Sequence, residues 1–225
     1  MAHAEGEIVV AAPLSNAMPL ASFENEQLKD GIMRDLGLAI AQRLGRTARF
    51  LPVSRNRLNG ALADGQADVL CYVMPGWTEQ TPLRWSRPLI PNRDLLVARA
   101  DAPPIKSIAE LTDEPIGAVL GYRYPEVERT LGSHFRRDDG PDMHSNLRKL
   151  AAGRVRYAIV DQLTLQYETR TTLREFKPGQ TLTVSSFVAH CAFSLKGRVP
   201  PEELQRSADS LLQDGTVDAI LARYR

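Results

Sequence analysis

Short apolar runs alternate with stretches of helical periodicity along the first third of the chain. Ile32, Leu36, Ile40 and Leu44 recur at the spacing of one helix face, which predicts a helix over residues 29–44 that Gly45 ends. The remaining pattern predicts a short helix at 57–63 and strands at 7–12, 49–53 and 67–74. Strands that alternate with helices in this way indicate a parallel sheet covered on both faces.

The same alternation starts again after a break in the middle of the chain. A strand at 94–99 is followed by Pro103 and Pro104, neither of which can donate to a β-ladder. Beyond the prolines, Asp161 is well placed to cap a helix, because its carboxylate can accept the unpaired N–H groups there. The other elements predicted in this part are strands at 116–120, 157–160 and 191–195 and helices at 125–131, at 146–152, from Pro201 and from Thr216.

The order of these elements predicts an α/β protein in which a second unit is inserted into the first. We expect a discontinuous lobe one at residues 1–100 and 189–225 and an inserted lobe two at 101–188, with a hinge near 99–103 and 185–190. Each lobe is expected to hold a mostly parallel sheet flanked by helices. Because open α/β sheets bind ligands at the ends of their strands, the layout predicts a ligand cleft between the lobes.

Composition narrows the classes of function. Apolar residues make up 43% and charged residues 24% of the 225-residue chain, which is ordinary for a soluble globular protein. The formal charge is +1 and no basic run occurs, so nucleic acid is not an expected partner. The pair Arg136-Arg137 is offset by Asp138-Asp139, which predicts a solvated loop. No apolar run reaches the roughly 18 residues of a membrane span, so direct membrane insertion is not expected.

The N-terminus and the cysteines bear on the cellular compartment. Ala2-His3-Ala4 fits the small-x-small end of a secretory signal peptide, and a chance alanine-rich start explains it equally well. Cys71 and Cys191 each lie in an apolar strand-like run, and the sequence leaves open whether they are buried thiols or a disulfide. The histidines are scattered and no Cys/His cluster occurs, so neither a metal nor a cofactor is expected.

Several short motifs occur in a characteristic order. They are Ala61 to Met74 with its Gly65-Gln66-Ala67-Asp68 turn, Trp85-Ser86 with Pro88, Ile116 to Gly121, Gly153 to Asp161, and Asp214-Gly215-Thr216 with Ile220 and Tyr224. With these motifs the chain resembles, from Ile8 to Tyr224, the bacterial periplasmic solute-binding proteins of the polar amino-acid type, extracellular solute-binding family 3. The resemblance implies the two-lobed periplasmic-binding-protein-like fold.

The resemblance also implies where a ligand would bind. The implied contacts follow the first and third strands of lobe one and the strand ends of lobe two; they are Asn16, Tyr72, Met74, Trp77, Gln80, Gly121, Tyr122, Arg123, Tyr124 and Asp161. In the family an arginine at the place of Gln80 grips the ligand's α-carboxylate, and an aspartate at the place of Asp161 meets its ammonium group. The resemblance implies no catalytic residue and no metal ligand.

Some of these residues depart from the family pattern. Gln80 is neutral and cannot make the charge-assisted, two-pronged bond that arginine makes to a carboxylate. Pro75 has no N–H and no hydroxyl. The tyrosines and Trp77 add aromatic surface suited to stacking on a ring or a cation. Arg123 is placed to supply the missing positive charge from the other lobe.

Each assignment has a structural alternative. An aromatic residue near a strand end is usually part of the core or of a cleft rim. Arg123 is equally well explained as a solvated surface residue, and Asp161 as a helix cap alone. Side-chain type and spacing do not decide between these interpretations.

The resemblance implies a monomeric periplasmic receptor that captures a small-molecule ligand by lobe closure and delivers it to the membrane permease of an ABC-type transporter. A signal peptide not present in this chain is expected to direct its secretion. The loss of the arginine favours an amine-containing or amino-acid-derived ligand other than an ordinary α-amino acid. Two alternatives stay open: a periplasmic enzyme similar to cyclohexadienyl dehydratase, with Asp161 and Glu79 as candidate general acids, and a sensory ligand-binding module.

Overall fold

The computed structural model describes residues 6–78 and 81–224. The helices are α1 (Ile32–Arg43), α2 (Leu58–Ala63), α3 (Pro125–Leu131), α4 (Met143–Ala151), α5 (Gln162–Arg170), α6 (Pro201–Gln213) and α7 (Thr216–Ala222). The strands are β1 (Glu7–Pro13), β2 (Ser22–Glu24), β3 (Gln27–Asp30), β4 (Thr47–Val53), β5 (Val69–Val73), β6 (Leu83–Trp85), β7 (Ile90–Arg99), β8 (Ile116–Val119), β9 (Arg137–Gly140), β10 (Tyr157–Asp161) and β11 (Pro178–Ser194). None of the described helices is long and apolar enough to cross a membrane.

The chain divides into two compact units. Unit 1 comprises residues Met1–Leu14, Pro19–Pro91 and Val188–Arg225, and unit 2 comprises Ser15–Met18 and Asn92–Phe187. The chain thus passes into unit 2 after Pro91, earlier than the boundary predicted after residue 100. The reason is that β7 continues without a break to Arg99, and its positions from Asp94 onward pair with β10 of unit 2.

Unit 1 is built on β1, which lies between β4 and β5 and runs parallel to both. The register joins Glu7 to Thr47 and Pro13 to Val53. β11 pairs antiparallel with β5, and β6 pairs antiparallel with β11. The buried side chains of β1 are apolar on both faces, as expected for a strand that helices cover on both sides.

The Gly65–Asp68 turn before β5 holds separate segments of unit 1 together. Asp68 is fully buried, and its Oδ2 accepts a hydrogen bond from the backbone N–H of Val9 at 2.6 Å, while its Oδ1 accepts one from the N–H of Arg198. Gly65 has a φ of +72°, and a Cβ there would lie 2.1 Å from the carbonyl oxygen of Lys196. The motif that carried the family resemblance therefore ties β1, β5 and the chain after β11 together.

The two cysteines form a disulfide within unit 1. Cys71 on β5 and Cys191 on β11 are directly opposite residues of the antiparallel pair, and both are fully buried. The pairing follows from the sheet order, which the sequence pattern does not specify, because β11 is separated from β5 by the whole of residues 92–187.

Unit 2 has a mixed sheet in the order β7, β10, β8, β9. β10 runs antiparallel to β7 and parallel to β8, and β8 runs parallel to β9. Each face of this sheet carries its own apolar cluster. One includes Leu96, Ile159 and Tyr124, and the other includes Val97, Val160 and Leu147.

The predicted strands and helices occur in the predicted order, but several bounds differ. Residues 29–30, predicted to open the first helix, belong to β3, and the strand predicted at 191–195 is the end of β11, which begins at Pro178. Arg137, Asp138 and Asp139, in the segment 136–139 that was predicted to be a solvated loop, lie in the edge strand β9. The hairpin of β2 and β3 and the strand β6 were not predicted. α4 begins at Met143 rather than at Asn146, because Asp142 caps it by accepting a hydrogen bond from the N–H of Ser145 at 2.7 Å.

Candidate functional site

Three predicted ligand contacts of unit 1 lie at and beyond the end of β5. Tyr72, Met74 and Trp77 are all half-buried. The chain makes a single helical turn at Pro75–Trp77, which is closed by a hydrogen bond from the Trp77 N–H to the Met74 carbonyl at 2.9 Å and by one from Thr78 Oγ1 to the Pro75 carbonyl at 3.1 Å. Gln80 and Glu79 lie outside the described residues.

Tyr72 has an unusual backbone conformation. Its φ is +61°, in the left-handed region where a large side chain is uncommon. It lies next to Cys71, whose disulfide fixes the strand, and β11 is irregular between His190 and Cys191 opposite it. Strained residues of this kind persist only where the surroundings hold them, and they concentrate at functional sites. The conformation therefore favours a functional role for the tyrosine.

In unit 2 the structure brings Asn16 and Tyr122 together. The Tyr122 hydroxyl donates to Asn16 Oδ1 at 2.9 Å. Tyr122 follows Gly121, which ends the turn after β8 with a φ of +78°, and its ring is 6.5 Å from that of Tyr124. The predicted contacts Asn16, Gly121 and Tyr122 are thus neighbours at the carboxyl end of β8.

Tyr124 and Arg123 are engaged by the protein itself. Tyr124 is only 3% exposed, its hydroxyl accepts a hydrogen bond from the N–H of Val119 at 3.0 Å, and burial raises its pKa. Arg123 binds Glu128 of α3 through two guanidinium nitrogens, at 2.9 and 2.7 Å from Oε2, and this partner lowers the pKa of the Glu128 carboxyl. The geometry thus shows Tyr124 packed in the core and Arg123 in an ion pair. That either residue contacts a ligand stays a prediction.

Asp161 ends β10 and caps α5. It is 1% exposed, and its Oδ1 accepts a hydrogen bond from the N–H of Thr164 at 2.7 Å, which confirms the predicted cap. Its Oδ2 is buried and has no hydrogen-bond partner within residues 6–78 and 81–224. Burial raises the pKa of the Asp161 carboxyl, and hydrogen bonds from Thr164 and Asn92 oppose that rise. A helix cap needs one carboxylate oxygen, so the second oxygen is available to bind something else.

The structure adds three residues around Asp161 that the sequence interpretation missed. Asp94 on β7 is the directly opposite partner of Asp161, and Ser185 on β11 donates to Asp94 Oδ2 at 2.8 Å. Asn92 Oδ1 accepts a hydrogen bond from the N–H of Leu163 at 3.3 Å. Burial and the charge of Asp161 raise the pKa of Asp94 to about 6. A single acidic residue at the start of an apolar run is typical of a solvated strand end, so the pattern held no signal for this pair.

The chemistry available here is that of hydrogen bonding and charge. Two carboxylates with an amide and a hydroxyl around them can bind a cationic nitrogen. No group of His, Cys, Asp and Glu side chains with metal-binding geometry occurs among the described residues.

Comparison with known proteins identifies the fold. No protein-family model matches the chain, and no curated protein matches it. An ancestral arginine-binding protein bound to arginine aligns with a TM-score of 0.78 at 20% identity, over 99% of this chain and 99% of that one. The substrate-binding protein of an amino acid ABC transporter aligns with a TM-score of 0.78 at 16% identity, over 97% of this chain and 98% of that one.

The fold is that of the periplasmic binding proteins. A third structure with this fold is an ancestral amino acid-binding protein described as a precursor of cyclohexadienyl dehydratase, with a TM-score of 0.75 at 18% identity, over 97% of this chain and 94% of that one. In the periplasmic-binding-protein fold, as in other open α/β sheets, ligands bind beyond the carboxyl ends of strands. Tyr72, Gly121 and Asp161 each lie at such an end, of β5, β8 and β10 respectively.

Proposed function

We propose that the protein is a periplasmic solute receptor that captures a small, polar, amine-containing ligand by closure of its two lobes and passes it to the permease of an ABC-type transporter. The observation that carries the proposal is the buried Asp161 carboxylate, which uses one oxygen to cap α5 and leaves Oδ2 without a partner among the described residues. A buried carboxylate oxygen of this kind is costly unless it binds a donor, and an ammonium or guanidinium group is the strongest donor available.

The proposed ligand class rests on two residues. Asp161 provides for a positive group, whereas Gln80 stands where the resembled family has its carboxylate-binding arginine. A ligand that carries an amine and lacks the α-carboxylate, or presents it differently, fits this pair of features. The ligands named for the structural neighbours, arginine for one and amino acids for the others, are consistent with an amine-containing solute.

A thermal-shift screen tests the proposal. The panel contains amines, amino acids, opines and small organic acids, and we expect at least one amine-containing member to raise the melting temperature. A ligand present at 100 times its Kd stabilises the folded state by about 2.7 kcal/mol, which such a screen detects. If no compound of the panel raises the melting temperature, the receptor proposal is wrong.

A matched pair of variants assigns the binding to Asp161. Asp161→Asn keeps a good helix cap but removes the charge, so it should abolish the ligand-dependent shift while the protein still folds. Asp142→Asn makes the same change at the cap of α4 and should leave the shift unchanged. Equal shifts in wild type and Asp161→Asn would show that Asp161 does not contact the ligand.

A second candidate function is that of a dehydratase. It is favoured by one neighbour's description as a dehydratase precursor and by the raised pKa of Asp94, about 6, which suits a general acid near neutral pH. Incubation with prephenate or arogenate should then yield the aromatic product, and Asp94→Asn should abolish that turnover. Absence of product from both substrates would remove this candidate.

A further inference from the structure

Asp94 and Asp161 face each other across two antiparallel strands. Asp161 of β10 is in register with Asp94 of β7, one pair beyond Val160 and Leu95 and two beyond Ile159 and Leu96. Directly opposite residues of an antiparallel pair project to the same face, with Cβ atoms about 4.5–5.5 Å apart. Two like charges at such positions repel each other and destabilise the sheet. Their juxtaposition therefore calls for a compensating positive charge or a proton.

The unpartnered oxygen of Asp161 shows where a ligand would bind to this pair. Asp161 is 1% exposed, and its Oδ2 has no hydrogen-bond partner within the described residues. Asp94 is only half-buried, so its side chain is partly accessible to solvent. Ser185 donates to Asp94 Oδ2 at 2.8 Å and holds the carboxylate in place.

Several other groups lie around Asp94 and Asp161. Tyr124, at the start of α3, is close enough that the charge of Asp94 helps to raise its pKa. From α5 and α4 the pair meets uncharged groups, the N–H of Thr164 on Asp161 Oδ1 and the sulfur of Met143, which accepts from the Asp161 N–H at 3.2 Å. His144 of α4 and Glu168 of α5 pair with each other, at 2.9 Å between Nδ1 and Oε2.

We propose that Asp94 acts together with Asp161 as a carboxylate pair that binds one cationic nitrogen group of the ligand, and that this binding releases to solvent a proton which the pair holds in the unliganded protein. The inference deepens the proposed receptor function and rests on it. It adds a second acidic residue, Asp94, to the amine site and makes ligand affinity depend on pH.

The direction of the pH dependence follows from the two carboxyl groups. Burial and the charge of Asp161 raise the pKa of Asp94 to about 6, and burial raises that of Asp161. Interacting carboxyls of this kind titrate as a pair. A cation favours the deprotonated pair, so affinity should rise with pH up to about pH 7, by up to roughly tenfold per pH unit where one proton is released.

Calorimetric titration in two buffers of different ionisation enthalpy counts the released protons. The probes are three cations, agmatine, putrescine and L-arginine, and two compounds without net positive charge, L-glutamate and succinate. For the cation that binds most tightly, we expect release of close to one proton per ligand at pH 5.5 and of almost none at pH 8. Asp94→Asn, whose amide oxygen can still accept from Ser185, should abolish the release and weaken binding roughly 10- to 100-fold at pH 7.5.

Asp64→Asn is the charge-matched control, since Asp64 is exposed in unit 1 and at the end of α2. It should keep both the affinity and the proton release of the wild type. His144→Gln removes the imidazole that pairs with Glu168 and should also keep the release.

The outcomes distinguish the two proposals. Binding of a cation with unchanged proton release and affinity in Asp94→Asn would overturn the carboxylate pair and leave the receptor intact. Binding of succinate alone, which carries no nitrogen, would overturn both the carboxylate pair and the amine-containing ligand class. If none of these probes binds and the wider thermal-shift panel is also negative, both the pair and the receptor function are wrong.

Discussion

Tyr72 combines a large side chain with a backbone that glycine would adopt more easily. Four described residues other than glycine have positive φ, and Tyr72 is the one aromatic residue among these. For an L-residue the left-handed conformation costs roughly 1–2 kcal/mol. The disulfide at Cys71 and the pairing with β11 supply the constraint that holds it there. The tyrosine is kept at this cost, which favours a role for its ring in ligand binding.

A comparison of Tyr72→Gly with Tyr72→Ala measures this strain. Both variants lose the ring, but glycine accepts a φ of +61° without the Cβ clash, so the glycine variant should be more stable by about 1 kcal/mol. Urea denaturation gives the difference. At Ser186 of β11, which is not among the residues with positive φ, the order should reverse, with alanine more stable than glycine. An alanine variant at Tyr72 as stable as the glycine variant would contradict the strain.

Asp94 should lower stability at neutral pH. Its pKa is raised from 3.8 to about 6 on folding, so the folded state binds this proton more tightly than the unfolded chain does. The resulting contribution to stability is present below about pH 4 and is lost as the pH rises through about 6. Asp94→Asn should therefore be more stable than wild type at pH 7.5, by on the order of 1–3 kcal/mol.

The pH series decides this prediction. Urea unfolding of wild type and Asp94→Asn at pH 4.0, 5.5 and 7.5 should show a difference that grows with pH, while Asp64→Asn follows the wild type at every pH. A constant difference across the series would mean that Asp94 titrates normally.

At the residue scale the sequence could identify only part of the candidate site. Asp161 was predicted as a cap because the residue that precedes a helix and carries a carboxylate has a defined local role, and the hydrogen bond to Thr164 confirms it. Asp94 was not predicted as a site residue, because what distinguishes it is its position opposite Asp161 on β10, which the sequence pattern does not show. Tyr124 shows the same limit, since whether a tyrosine at a strand end packs inward is decided by tertiary contacts.

At the scale of elements, continuous apolar segments were predicted well, and polar segments and the alternating first part of β11 poorly. β9 carries Arg137, Asp138 and Asp139 because it is an edge strand, and charges on an edge discourage pairing with another chain. Arg137 also donates to the carbonyl oxygens of Tyr122 and Val119, at 3.0 and 2.9 Å. The hairpin of β2 and β3 turns at Asn25 and Glu26, both with positive φ, without the Asn-Gly signal that usually marks such a turn.

The disulfide should make β5 and β11 strongly dependent on oxidation. Removal of a native disulfide typically costs about 2–5 kcal/mol, and long closed loops lie toward the upper end because they restrict the unfolded chain most. The sequence separation of Cys71 and Cys191 is 120 residues. Thermal unfolding with and without dithiothreitol should show a large drop in melting temperature for wild type. Cys71→Ala/Cys191→Ala should melt at the lower temperature under both conditions, and a wild type indifferent to reductant would contradict the prediction.

For the whole molecule, the alternation of strands and helices was enough to predict an α/β fold, which the aligned structures confirm. The assignment of Ser15–Met18 to unit 2 was not predictable, because these four residues lie between two segments of unit 1. Their position depends on contacts with residues distant in sequence. One of these is the hydrogen bond from the Tyr122 hydroxyl to Asn16, which spans 106 residues.

Tyr122→Phe should loosen Ser15–Met18 without disturbing the rest of unit 2. The variant keeps the ring packed on the apolar clusters but removes the hydroxyl that Asn16 accepts from, which should lower stability by about 0.5–1.5 kcal/mol. Amide hydrogen exchange should quicken at residues 15–18 and stay unchanged in β10. The control Tyr167→Phe, on α5, should leave residues 15–18 as in wild type. Equal exchange in wild type and Tyr122→Phe would show that the bond does not hold the segment.

The disulfide has a topological consequence. Cys71 and Cys191 bracket all of residues 92–187, so this part of the polypeptide lies within a covalently closed ring formed by residues 71–191. A protease that cuts once within the ring, for example at the exposed turn after α5 between Arg174 and Glu175, would leave residues 1–174 and 175–225 joined through sulfur. Such a nicked molecule should run as one band without reductant and as two with it. The backbone can therefore be cut once between Cys71 and Cys191 while the disulfide keeps the two fragments in one molecule.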